Sequence, residues 1–154
     1  MSLQYDFIKS KGAPVTVGPH TVFQRDTLDI FGGDITVRFV CSARSPIQGV
    51  QLSVKKGGAI ELSDGTYTER LDIWHAPELP PVVIYKVRTI DGHLYVHNRY
   101  MVHTSGDAWL PEHWTGNAGM TLIESESNRR LYGCSDGLGE FTAEDLIFEC
   151  AWTV

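Results

Sequence analysis

Polar and apolar residues alternate through most of this chain, with the period of two that belongs to half-buried β-strands. Ile35–Cys41 (ITVRFVC) is the cleanest case: Ile35, Val37, Phe39 and Cys41 point one way, Thr36 and Arg38 the other. Ile47–Val54 sets Val50, Leu52 and Val54 on one face, and Asp145–Thr153 does the same with Leu146, Phe148, Cys150 and Trp152. Pro14–Phe23 is β-type but broken by Gly18-Pro19. Met120–Ser125 and Arg130–Cys134 form a hairpin pattern around Ser127-Asn128. Ala59–Ser63 and Thr66–Trp74 flank Asp64-Gly65, which predicts a hairpin; the second run puts Tyr67, Leu71 and Ile73 on one face, with Glu69 the exception.

The strongest pattern is Pro80–His103 (PPVVIYKVRTIDGHLYVHNRYMVH), two long β-type runs split by Asp91-Gly92. A two-residue type I′ turn needs positive φ at both central positions, which Asp-Gly tolerates, so the dipeptide predicts a hairpin. Residues opposite each other in such a hairpin share a sheet face. One face then carries Val83 with Tyr100, Tyr85 with Asn98, Val87 with Val96 and Thr89 with Leu94, and it is a core face. The other carries Val82 with Met101, Ile84 with Arg99, Lys86 with His97, Arg88 with Tyr95 and Ile90 with His93, and it is basic and partly aromatic.

The remaining segments are less patterned. Residues 1–12 are expected to form an arm or a short edge strand, Gln24–Leu28 has no clear period, and Phe31–Asp34 is expected to turn. His75–Pro81 (HAPELPP) is excluded as a central strand because three of its residues lack an amide hydrogen. Thr104–Gly119 shows no period and holds Asp107, Trp109, Glu112, His113, Trp114 and Asn117. Thr142, followed by acids, is compatible with one helical turn. Many closely spaced strands without helical crossovers predict an all-β fold: an antiparallel β-sandwich, jelly-roll-like, with a closed antiparallel β-barrel as the alternative. The 154 residues fit a single domain, 1–154, long enough for a real core.

Charge narrows the function classes. The formal net charge of −6 argues against a dedicated nucleic-acid binder, whose phosphate contacts need clustered Lys and Arg. No apolar run approaches the roughly 20 residues of a membrane span. Residues 1–12 lack the basic-then-apolar pattern of a secretion signal, so a cytoplasmic setting is expected. The cysteines Cys41, Cys134 and Cys150, odd in number and without a CxxC, are expected to be reduced and buried.

Spacing narrows the chemistry. His93, His97 and His103 belong to one predicted strand, but at about 3.3 Å per residue His97 stands about 20 Å from His103 and about 13 Å from His93, so no pair shares a metal ion. Asp136, Glu140, Glu144 and Asp145 offer oxygen atoms without EF-hand spacing. No G-x-S-x-G and no Gly-rich loop opening a helix is present, and neither metal nor other cofactor is expected. Surface recognition remains. The leading expectation is a non-enzymatic module that binds a small polar or anionic ligand, a carbohydrate among the candidates, through Arg88, Tyr95, His97, Arg99, Trp109 and Trp114. Aromatic rings cover ligand area, while guanidinium groups fix carboxylate or phosphate. One alternative is a barrel enzyme using His97 or His103 with Asp107 or Glu112 as acid and base. Another is an interaction module whose basic face docks an acidic partner or packs on a second copy as a homodimer.

The runs GHLYVHN, WTGNAGM, YGCSDG and FTAEDLIF, within residues 92–148, together resemble uncharacterised bacterial all-β proteins of similar length. The resemblance implies an all-β fold and no particular activity. The closing motif is also similar to the end of some calcium-dependent adhesion modules, but Gly139 and Thr142 stand where those place acids, so calcium is not expected here.

Overall fold

The computed structural model describes residues 2–43, 46–76, 78–106 and 108–153. Among the described residues the chain forms one short helix, α1 (Leu3–Lys9), and fourteen strands. These are β1 (Val15–Val17), β2 (His20–Val22), β3 (Asp26–Asp29), β4 (Gly32–Ser42), β5 (Gln48–Ser53), β6 (Ala59–Glu61) and β7 (Tyr67–Thr68). They continue with β8 (Arg70–Trp74), β9 (Val82–Arg88), β10 (His93–His103), β11 (Trp109–Glu112), β12 (Gly119–Glu126), β13 (Arg129–Ser135) and β14 (Leu146–Trp152). A seven-stranded antiparallel sheet runs β12-β13-β14-β4-β9-β6-β7. A five-stranded one runs β11-β10-β5-β8, with β3 also paired to β10, and β1 with β2 forms a separate ribbon. The sheets do not close, so the fold is an all-β sandwich and the barrel alternative is set aside.

The core lies between the two sheets. Ile35, Val37, Leu146, Phe148 and Cys150 from the larger sheet meet Val50, Leu52, Leu94 and Val96 from the smaller one. Each fully buried aliphatic or aromatic side chain contributes about 1.5–3 kcal/mol. The alternation read for β14 is the burial observed; in β5 Val50 and Leu52 are buried as expected, but Gln48 and Gln51 are buried too. The β12–β13 hairpin also forms as expected, with a bulge at Ile123. In β4 a register shift opposite Ile147 and Phe148 separates Phe39 from Cys41, so Phe39 is buried while Cys41 turns outward instead of inward. Cys134 and Cys150 are buried thiols.

The largest correction concerns Asp91-Gly92. It does turn the chain, with Gly92 at φ 81°, where an added Cβ would strike the Phe31 ring. But β9 and β10 do not pair. Both edges of β9 are taken by β4 and β6, and β10 is flanked by β5 on one side and by β3 and β11 on the other. The turn carries the chain across the sandwich. Thr89, buried, donates through Oγ1 to the Ile30 carbonyl at 2.6 Å, and the Ile30 amide donates to the Gly92 carbonyl at 2.9 Å. The inward residues Val87, Leu94, Val96 and Tyr100 are inward as expected, but they approach the core from opposite sheets. The expected basic face is therefore split: Lys86 and Arg88 lie on the outer side of one sheet, and Tyr95, His97 and Arg99 on the outer side of the other.

At Asp64-Gly65 the expected hairpin does form, between β6 and β7. Its return run then breaks at Glu69, the residue that interrupted the pattern, and β8 crosses to pair with β5. Residues 2–12 form α1 and a turn after it, not a strand. Leu3 and Phe7 of α1 pack on Val22 of the ribbon. Gln24–Leu28 yields most of β3, Gly32 and Gly33 open β4, and the patternless Thr104–Gly119 contains β11. Thr142–Asp145 makes a turn without a helix. No helix among the described residues is long and apolar enough to cross a membrane.

Candidate functional site

The site arises from a vacancy in strand pairing. One flank of β10 is shared by two short strands: β3 covers Val96 back to His93, and β11 covers Tyr100 to His103. Residues 97–99 fall between them. Chain continuing from β11 brings His113 and Trp114 to this notch, and chain entering β3 brings Arg25 from the other end. The segment is held in place. Trp114, at φ 58°, donates its indole N–H to the Gln24 carbonyl at 2.9 Å. The following loop is tied to α1: the Gln4 amide donates to the Gly116 carbonyl at 2.8 Å, and the Leu3 amide to Asn117 Oδ1 at 3.1 Å.

Below the notch, the outward side chains of three strands stand in rows. His97, Gln51 and Asp72 lie directly opposite one another across β10, β5 and β8, and so do Tyr95, Ser53 and Arg70. Opposite Arg99 is Gly49, which has no side chain. Arg99 reaches diagonally to Asp72, donating through Nη1 to Oδ2 at 2.7 Å, and Gln51 Nε2 donates to the other carboxylate oxygen at 2.9 Å. The Arg25 guanidinium lies 4.3 Å from the centre of the Tyr95 ring. The Tyr95 hydroxyl in turn donates to Asp91 Oδ2 at 2.8 Å. Together Arg25, Gln51, Ser53, Arg70, Asp72, His97, Arg99, His113 and Trp114 line a cavity of about 450 Å³.

Its electrostatics follow from burial. His97 is 4 % exposed and, among the described residues, neither ring nitrogen has a hydrogen-bond partner. Loss of hydration, with His113 and Arg99 close by, lowers its pKa to about 3, so the ring is neutral at pH 7. His113 is lowered too, by burial first and by Arg99 second. Its ring lies 4.9 Å from that of His97 and 4.6 Å, edge-on, from Trp114. Burial, helped by the bond to Asp91, raises the Tyr95 hydroxyl. The walls thus hold three guanidinium groups against one carboxylate, above a floor of uncharged rings. Low dielectric around such a floor strengthens the field of the arginines.

Of the six residues read from sequence, His97, Arg99 and Trp114 line this cavity, and Tyr95 supports Arg25 beside it. Arg88 does not join them. It pairs opposite Gly32 and Ala59 on the outer side of the seven-stranded sheet, beside Glu61 and Tyr67. Trp109 is on the same outer face as Arg99 but about 13 Å further along β10 by strand spacing, half-exposed and against the His103 ring at 4.8 Å. Among the described residues the acid–base alternative brings no histidine–carboxylate pair into the cavity. Asp107 lies outside the described residues, Glu112 pairs opposite Tyr100 and His103 opposite Trp109, and neither Glu112 nor His103 lines the cavity. A histidine neutral down to about pH 3 does not serve as a general acid near neutrality. The site read from sequence left out Arg25, Gln51, Ser53, Arg70, Asp72 and His113. Alternation marks Gln51, Ser53, Arg70 and Asp72 as outward, but only the strand order brings them beside β10.

Comparison with known protein families, with curated proteins and with solved structures finds no match to this chain.

Proposed function

We propose that this protein is a non-catalytic binding module for a small anionic ligand, held in the cavity on the outer face of the five-stranded sheet. The observation that carries the reading is the convergence of Arg25, Arg70 and Arg99 around one carboxylate, in a chain whose net charge is −6. Among the described residues Arg70 makes no ion pair, while Arg99 is oriented by Asp72 and Arg25 by Tyr95. Guanidinium groups bind carboxylate and phosphate oxygens in pairs, and two such groups are left for the ligand. A cavity of this volume suits a small molecule rather than a polymer. The reading places the protein in the cytoplasm, where its cysteines remain thiols.

Isothermal titration at low salt with sulfate, citrate and glucuronate tests it. At least one of these is expected to bind saturably, and Arg70→Ala to weaken that binding about tenfold, the size of one charge-assisted contact. Raising the ionic strength toward 0.5 M should weaken it as well, since the arginines are partly solvated. No saturable binding by any of the three removes the proposal.

A further inference from the structure

The wall of the cavity contains a feature that a general anion site does not need. Asp72 stands among the arginines with its side chain 29 % exposed. Each of its oxygens already accepts one hydrogen bond, Oδ1 from Gln51 and Oδ2 from Arg99, and each has room for another. A carboxylate is acceptor-only, so it repels a bare oxyanion and rewards an O–H. Ser53, in the same row as Arg70, adds a hydroxyl to that wall, and Trp114 offers an apolar ring.

We infer that the ligand is an acidic sugar: a hydroxyl-bearing ring with one carboxylate or phosphate group. The inference rests on the anion reading above and deepens it. The acidic group sits between Arg25 and Arg70. The hydroxyls donate to Asp72 and exchange hydrogen bonds with Ser53, and the ring's C–H face covers Trp114. Arg99 is spent on holding Asp72 in place, which separates the charged end of the cavity from its hydroxyl-reading end. A volume of about 450 Å³ accommodates one such ring with its substituents.

Matched probes separate this inference from the reading beneath it. Glucuronate and glucose 6-phosphate are titrated against glucose, which lacks the charge, and against cyclohexanecarboxylate and inorganic sulfate, which lack the hydroxyls. One of the two acidic sugars is expected to bind at least about tenfold more tightly than all three controls, the ratio of one well-made contact to a charged group. Which of the two wins distinguishes carboxylate from phosphate. If cyclohexanecarboxylate equals glucuronate and sulfate equals glucose 6-phosphate, the sugar inference fails and the anion reading stands. If no anion binds, or if glucose binds as tightly as the acidic sugars, both fail. Asp72→Asn adds a change of sign. The acidic sugar should weaken about tenfold, while sulfate, no longer repelled, should bind as well or better. Equal weakening of both would make Asp72 a positioning group for Arg99 and overturn its role in reading hydroxyls. Should that variant not fold, the comparison of probes on the native chain decides alone.

Discussion

Two aspartate–arginine pairs in this sandwich are built from the same groups and do different things. Asp26 on β3 accepts from Arg130 Nη1 at 2.7 Å and from the Tyr132 hydroxyl at 2.6 Å, both on β13. Arg130 also donates to the Thr27 carbonyl at 3.1 Å. This assembly joins the five-stranded sheet to the seven-stranded one, and burial together with Asp26 drives the Tyr132 hydroxyl far above its ordinary titration range. The Asp72 assembly joins only neighbours on one outer face, β5, β8 and β10. It ties no sheet to another, and it borders His97, whose two ring nitrogens have no hydrogen-bond partner among the described residues, and His113, whose Nδ1 has none. The difference teaches that an ion pair's role follows from what it spans. Across the sandwich, the pair acts as a fastening. On one face, beside unsatisfied groups and an open cavity, it acts as part of a binding surface.

The comparison breaks most visibly at Asp26. Asp26→Ala leaves Arg130 and Tyr132 without their shared acceptor and should cost about 3 kcal/mol, lowering Tm by roughly 6–12 °C. A fall of less than about 2 °C in thermal unfolding would show that the fastening contributes little.

The second test is pH. His97 titrates at about 3 when folded and near 6.5 when unfolded, so on acidification the unfolded chain takes up this proton first. The contribution is fully present above about pH 6.5 and is lost progressively down to about pH 3. Between pH 6.5 and 5 it amounts to about 2 kcal/mol, as an order of magnitude. Urea unfolding at the two pH values measures it. His97→Phe, which keeps a ring on the cavity floor, should lose less stability over that interval than the native chain. Identical losses would place the acid sensitivity elsewhere.

Arg99→Met sharpens the contrast from the other side. It deprives Asp72 of its charged partner but leaves Gln51, and Asp72 still reaches water. The expected cost is about 1 kcal/mol, a Tm shift of about 2–4 °C, well below that of Asp26→Ala. A shift as large as at Asp26 would make both pairs fastenings. The smallest effect belongs to Trp109, half-exposed at the far end of the face. Trp109→Ala should move Tm by about 1 °C or less and leave anion titrations unchanged. Weakened binding would extend the site along β10.

What was legible in advance is uneven for a physical reason. The alternation in β5, β10 and β14 correctly sorted inward from outward residues, and it did so for Val87, Leu94 and Val96 even though their assigned partners were wrong. The side a residue faces depends on the two-residue period of the strand itself. Its neighbour depends on which edges remain open once the whole sandwich has assembled. Cys41 marks the limit of the first rule, because a bulge set by the register with β14 reverses its direction.

The same division runs through the candidate site. The amino-acid order alone determined an all-β chain, two Asp-Gly turns, and a β10 whose outer face is His93, Tyr95, His97 and Arg99. Tertiary structure decided the rest. It sent Arg88 to the opposite side of the molecule, set Gln51 and Asp72 in line with His97, and left three residues of β10 uncovered between β3 and β11. The two Asp-Gly turns show why. Asp64-Gly65 closes a hairpin and Asp91-Gly92 crosses the sandwich, because a turn reverses the chain but the competition for backbone partners and for the apolar core chooses the sheet in which it continues.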